Sequence, residues 1–191
     1  MSRYTIRRTE GDHNPFSFSN MPRVSSCPAS VLAQQGIPDI PEPQGESGTR
    51  IHAALAAEDP AGLELEEEAI YEQCMEWEEN TTRGAKEFHR EWYGVLHECE
   101  DGSGDKFDGT ADLVALYPTR GLIKIIDYKT GRRPLDPRNV SIQGGGYAST
   151  ALKHFGEGYH RAEVRFYLPR LRKDFKCQWI VTGKQIGRAH V

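Results

Sequence analysis

Leu122-Ile123-Lys124-Ile125-Ile126-Asp127-Tyr128-Lys129-Thr130-Gly131 opens as a β-strand and closes as something else. Leu122, Ile123, Ile125 and Ile126 have the length and β-branched composition of a short buried strand. That strand ends abruptly in an acid, an aromatic and a lysine. Gly131 then breaks it ahead of a basic loop, Arg132-Arg133-Pro134. Side chains alternate along a strand, so Asp127 and Lys129 project to the same face. Two charges at the end of a buried strand either pair with something or do chemistry.

Working outward, Phe107 to Tyr117 reads as a preceding strand that contains Gly109-Thr110-Ala111-Asp112-Leu113-Val114. Pro118 to Gly121 is a tight connection, which makes the two strands antiparallel neighbours and brings Asp112 beside Asp127. A further strand begins at Glu87 and carries Phe88, Trp92, Val95 and Leu96, and the turn Asp101 to Asp105 follows it. Downstream of the basic loop, Val140 to His154 reads as a helix with Gln143 and Tyr147 on one face at i and i+4. Gly144-Gly145-Gly146 makes that helix poor on propensity alone. Ala162 to Leu168 and Phe175 to Val181 read as two more strands.

Upstream lie helices. Ser19 caps a short one carrying Met21, Val24, Val31 and Leu32, which Cys27-Pro28 interrupts. After the proline-rich loop Gly36 to Gly45, Ser47-Gly48-Thr49 opens a helix with Ile51, Ala54 and Leu55 at helical spacing and His52 in its first turns. Pro60-Ala61-Gly62 ends it. A long acidic helix follows from about Leu63 to Asn80, with Leu65, Ala69, Cys74 and Trp77 expected as its inner stripe. Helices, a three-stranded meander, a helix and further strands make a mixed α/β core with helices on both sides of the sheet.

The chain has 191 residues, 37% hydrophobic and 27% charged, which fits one globular domain with a sizeable core. No apolar run approaches the roughly 20 residues that cross a bilayer. Arg3, Arg7 and Arg8 are not followed by an apolar segment of the kind a secretory signal needs, so a cytoplasmic protein is expected. Cys27, Cys74, Cys99 and Cys177 are scattered without a CxxC pair, as suits reduced thiols. The net charge of −4 is unevenly distributed. Acids crowd the first half, whereas Lys124, Lys129, Arg132, Arg133, Arg138, Arg161, Arg165, Arg170 and Arg172 make the second half basic. Such asymmetry fits one face that meets a polyanion. The acidic run itself reads as a solvated helix face.

Phosphodiester hydrolysis needs a hard cation against the phosphate, an activated water and an offset for the charge that develops. Carboxylates hold Mg²⁺ or Mn²⁺ through oxygen, and a neighbouring lysine orients or deprotonates the water. Asp112, Asp127 and Lys129 meet that specification, and His52 offers a nitrogen ligand from the facing helix that suits Mn²⁺ beside Mg²⁺.

These residues carry a family resemblance. Gly109-Thr110-Ala111-Asp112, then Ile126-Asp127-Tyr128-Lys129-Thr130-Gly131, then Gln143, Tyr147 and Ala148 resemble the PD-(D/E)XK nuclease superfamily. Within it they are similar to the RecB-type branch, which includes recombination nucleases and the CRISPR-associated adaptation exonucleases. Gly48-Thr49-Arg50-Ile51-His52 resembles that branch's upstream helix motif, and Ser25-Ser26-Cys27-Pro28-Ala29-Ser30 resembles its N-terminal helix. The resemblance runs in order from about Ser19 to Ala148. It implies a restriction-endonuclease-like core, a central mixed sheet flanked by helices. It implies metal binding by His52, Asp112, Asp127 and the backbone carbonyl of Tyr128, with Asp112, Asp127 and Lys129 as the catalytic set. Gln143 and Tyr147 would steady the site and contact the DNA backbone, and Arg132 and Arg133 would help to hold DNA. The activity implied is DNA hydrolysis by an exonuclease more than an endonuclease, in recombination, repair or phage and CRISPR DNA processing.

The chain departs from the family in two ways. Glycines stand between Gln143 and Tyr147 where bulkier residues are usual. Some members bind an iron–sulfur cluster through one N-terminal and three C-terminal cysteines, but only Cys177 follows the motif helix here, so no cluster is expected. Gln185 to Val191 resembles the translation of a common sequencing adapter. The expected layout is therefore a poorly ordered terminus over 1–18, one domain over 19–184 that is truncated at its C-terminal end, and a non-native tail over 185–191. Lys129-Thr130-Gly131 and Ser103-Gly104-Asp105-Lys106 also match two elements of penicillin-binding serine enzymes, but they lie too close together, the serine is in a turn and no S-D-N is present. The stronger rival to a nuclease is a catalytically inactive nucleic-acid-binding module of the same fold.

Overall fold

The structure is a computed structural model that describes residues 14–34, 37, 43–100, 105–132, 134–182 and 185–190. Helices α1 (Met21–Ser26), α2 (Ser30–Ala33), α3 (Pro43–Ala57) and α4 (Leu65–Thr82) precede the meander β1 (Glu87–Glu98), β2 (Lys106–Tyr117) and β3 (Leu122–Tyr128). Helix α5 (Pro137–Phe155) then leads to β4 (Arg161–Leu168), β5 (Lys173–Thr182) and β6 (Gln185–His190). The strands lie side by side in sequence order, and every described pairing is antiparallel except β3 with β4. A parallel pair cannot be joined by a hairpin, and α5 supplies the crossover. The expectation of a mixed α/β fold with a helix-flanked mixed sheet is borne out. The segment read as a non-native tail contributes β6 at the sheet edge. Among the described residues, no helix is long and apolar enough to cross a membrane.

The sheet separates two apolar layers. On one side α5 packs on Trp92, Ala111, Val114, Ile123, Ile125, Val164, Phe166 and Trp179. On the other, Ile51 and Leu55 of α3 and Ile70, Tyr71 and Cys74 of α4 meet Leu113, Ile126, Tyr128 and Tyr167. The acidic helix differs from its expected phase. Leu65 is 85% exposed and Ala69 is exposed too, while Glu67 and Glu78 are buried. Its inward acids are not a solvated face. Glu67 receives Arg50 and closes the capping box at the start of α4, and Glu78 receives Arg90 from β1.

Residues 14–18, read in the sequence as part of the N-terminal segment outside the domain, contact the rest of the chain. Phe18 is only 1% exposed, and Asn14 donates to the Lys106 carbonyl and to Asp108 on β2. Residues 14–18 thus belong to the domain, because an aromatic enters the α5 layer edge-on to Tyr147.

The glycine run in α5 has a packing reason. A Cβ at Gly146 would stand 2.6 Å from the Phe18 ring, and one at Gly144 would stand 2.8 Å from the Trp179 ring. At Gly145 the nearest atom is 3.8 Å away, an ordinary contact. Opposite outcomes are therefore expected from one chemical change. Gly146→Ala should lower stability by about 1–3 kcal/mol through overpacking, and Gly145→Ala should raise it by roughly 0.5–1 kcal/mol through helix propensity. Urea unfolding of the two variants checks this, and equal effects would show that the close approach of Phe18 does not matter.

Candidate functional site

The site forms where β3 ends beside β2, under α3 on one face and α5 on the other. Asp112 sits at the rung between two regular pairs, Arg90 with Leu113 and Trp92 with Ala111. Its Oδ1 lies 2.9 Å from His52 Nδ1 on α3, and its Oδ2 accepts the Tyr128 amide at 2.5 Å. Those contacts fix the carboxylate between helix and strand.

Asp127 faces the other way. Gln143 Nε2 donates to its Oδ2 at 2.9 Å, and the Tyr147 hydroxyl lies 3.0 Å from the same oxygen. Tyr147 also reaches the Thr110 carbonyl at 2.9 Å and accepts from Gln143 at 3.2 Å. Lys129 Nζ lies 2.6 Å from Asp127 Oδ1 and 5.6 Å from the Phe166 ring centroid. Asp127 and Lys129 do share a face, as strand alternation requires. The i, i+4 spacing of Gln143 and Tyr147 delivers both to one carboxylate oxygen.

Burial and charge set the local proton affinities. Burial raises the Asp127 carboxyl above its ordinary value, the Lys129 charge opposes that shift and the Asp112 charge adds to it. Burial works against a charged His52, but hydrogen bonding to Asp112 and the charges of Asp112 and Asp127 outweigh it, so its value is raised. Burial likewise lifts the Tyr147 phenol well above its usual range, with the Asp127 charge adding to the effect.

One residue of the site was missed in the sequence. Glu91 of β1, although exposed, brings its carboxylate to this place. Among the described residues, His52, Glu91 and Asp112 form the group of potential ligands whose donor atoms all lie within 4.8 Å of one another. Glu91 has φ +46°, a left-handed conformation uncommon for a residue with a side chain. Burial raises its carboxyl, and the charges of Asp112 and Asp127 push in the same direction against His52. No local motif marks such a backbone in a non-glycine residue. A cleft of about 560 Å³ opens here, lined by Gly48, Thr49, His52, Ala53, Ala56, Glu91 and Thr130.

Arg132 is exposed and its Nη2 lies 3.1 Å from Glu66, which also pairs with Arg170. Arg170 further donates to the Thr130 carbonyl at 2.9 Å. Arg133 lies outside the described residues, as do Ser103 and Gly104. Cys27 is exposed between α1 and α2, and Cys177 is buried in the α5 layer. Carboxylate oxygens suit Mg²⁺ or Mn²⁺ and a nitrogen donor favours Mn²⁺ of the two, so His52, Glu91 and Asp112 could hold such an ion.

No protein-family model matches the chain, and no curated protein matches it. Among solved structures it is similar to the crystal structure of SSO0001, at 16% identity and a TM-score of 0.41, over 88% of this chain and 68% of that one.

Proposed function

We propose that the protein is a Mg²⁺- or Mn²⁺-dependent DNA nuclease, acting from ends in recombination, repair or phage and CRISPR DNA processing. One observation carries most of this: two carboxylates on neighbouring strands, each with a different basic partner, lie at one end of a buried sheet. A structural ion pair needs one such couple. Two couples beside an open cleft suit a reaction that needs both a cation and a proton relay.

His52 and Asp112 would hold the cation, and the family resemblance adds Asp127 and the Tyr128 carbonyl to its ligands. When bound, that ion supplies charge stabilisation at the scissile phosphate. Lys129 is within reach to orient the attacking water, and Asp127 Oδ1, 2.6 Å from its ammonium, holds it in place. Gln143 and Tyr147 hold Asp127 in the orientation this needs. Arg132, Arg133 and Arg170 meet phosphates, so binding depends on salt more than on sequence. The scattered cysteines support a reducing cytoplasm as its compartment.

The test is degradation of linear and covalently closed DNA by the purified chain in Mg²⁺ or Mn²⁺, with EDTA as control. Loss of linear DNA alone is the expected result, and cleavage of closed circles would make it an endonuclease. DNA binding without cleavage in either metal would overturn the enzymatic assignment in favour of the inactive binding module.

A further inference from the structure

We infer that Glu66 is the resident anion of a phosphate site, and that DNA enters this site by taking its place between Arg132 and Arg170. This rests on the nuclease reading above and names how the two arginines are held until DNA arrives.

Three separate elements converge on one carboxylate oxygen. Arg132 comes from the loop after β3, Arg170 from the connection Pro169–Leu171 between β4 and β5, and Glu66 from the first turn of α4. Arg132 Nη2 donates to Glu66 Oε1 at 3.1 Å, and Arg170 Nη1 donates to the same oxygen. Two guanidinium charges repel each other, so an anion is what brings them to one point. Carboxylate and phosphate oxygens are the acceptors whose geometry a guanidinium matches, and a backbone phosphate carries about the same single charge as a carboxylate. The donors that hold Glu66 are therefore equally suited to a phosphate of DNA.

The partners differ in how firmly they are fixed. Arg170 is 20% exposed, and its Nε donates to the Thr130 carbonyl at 2.9 Å. Thr130 follows Lys129 in the chain and lines the cleft, which ties this guanidinium to the edge of the site. Glu66 is 63% exposed, and the start of α4 does not depend on it. The capping box belongs to Glu64 and Glu67, and the ion pair with Arg50 belongs to Glu67. Exposed ion pairs contribute little to stability, because water and salt screen them. Replacing Glu66 by phosphate is consequently close to balanced for the arginines. The positive end of the α4 dipole continues to favour the released carboxylate. Glu66 thus keeps Arg132 and Arg170 together in the free protein and competes with DNA for them.

Binding of a fluorescein-labelled DNA duplex to the full chain, in EDTA and at low salt, tests this apart from catalysis. Glu66→Gln should tighten binding by about three- to tenfold, because both arginines are freed at once. Glu68→Gln removes the same charge two residues along α4, from an exposed acid that makes no ion pair among the described residues. It should tighten binding by less than about twofold. The Glu66→Gln gain should also shrink below about twofold in a chain that already carries Arg132→Gln and Arg170→Gln. Thermal unfolding checks the fold, and Glu66→Gln should melt within about 3 °C of the parent. Equal gains from Glu66→Gln and Glu68→Gln would reduce Glu66 to general repulsion and overturn the exchange. A gain that persists without the arginines would do the same, as would an absence of DNA binding in parent and variant alike. Cleavage in Mg²⁺ or Mn²⁺ is scored separately. A chain that binds with this pattern yet leaves DNA intact keeps the exchange and loses the nuclease, and a chain that cuts DNA while Glu66→Gln binds like the parent does the reverse.

Discussion

Lys129→Ala should lower the rate of DNA hydrolysis by about 10³-fold, the scale expected when a positioned proton-transfer group is removed. The side chain is 28% exposed, and its ammonium is held by Asp127 Oδ1 at 2.6 Å. Removing it takes away the group best placed to order a water next to the buried carboxylate. It leaves His52 and Asp112 in place, because they make their contacts on the opposite face. Mn²⁺ binding should therefore survive, and DNA affinity should fall by less than tenfold, since one phosphate contact among several is lost. The kinetic signature is a fall in kcat with little change in KM. Asp112→Asn should be comparably inactive for a different reason. It weakens the cation itself, so raising Mn²⁺ should restore part of its activity and none of that of Lys129→Ala. If Lys129→Ala retained parent-like turnover, the lysine would be only an ion-pair partner and the proposed chemistry would fail.

That contrast depends on two half-sites on two faces of one sheet, of which the sequence revealed only part. The strand ending at Tyr128 was legible because an apolar run stopped at charges, and alternation put Asp127 and Lys129 together. The tight connection at Pro118 to Gly121 gave antiparallel pairing, and Asp112 followed as a neighbour. Glu91 was hidden for the same reason that made those residues visible. Strict alternation along β1 sends position 91 to the face opposite Arg90, and only the left-handed backbone reverses that. The α5 glycines were equally opaque. Their need comes from Phe18, which is more than a hundred residues away in the chain, and from Trp179 on β5. Acid spacing on α4 showed that charges would be numerous but not which would turn inward, because the arginines that receive Glu67 and Glu78 lie on other elements. Local pattern thus fixes strand ends and face, while long-range partners decide which exceptions survive.

Arg90→Met should cost about 3 kcal/mol of folding stability, the second large effect expected of a single change. Arg90 is 18% exposed and holds Glu78, 8% exposed, through two hydrogen bonds of 2.7 and 3.1 Å. The Tyr128 hydroxyl donates to the same carboxylate, and Glu58 accepts from Arg90 Nε at 2.8 Å. Methionine keeps much of the apolar stem but removes the charge, which leaves Glu78 buried with a phenol as its partner. Removing one side of a buried pair is costlier than removing both, because the survivor must be desolvated without compensation. Glu78→Leu combined with Arg90→Met should therefore recover more than half of the loss. A shift of about 3 kcal/mol corresponds to a Tm lower by roughly 6–12 °C in a chain of this size. The same pair also ties α4 to β1 immediately before Glu91, and to Tyr128 between Asp127 and Lys129. Arg90→Met should then weaken Mn²⁺ as well as the fold, whereas the double variant should regain stability ahead of Mn²⁺ affinity. Thermal unfolding and Mn²⁺ titration of the four members of the cycle separate the two effects. Strict additivity in stability would show that the Arg90–Glu78 contact contributes nothing of its own.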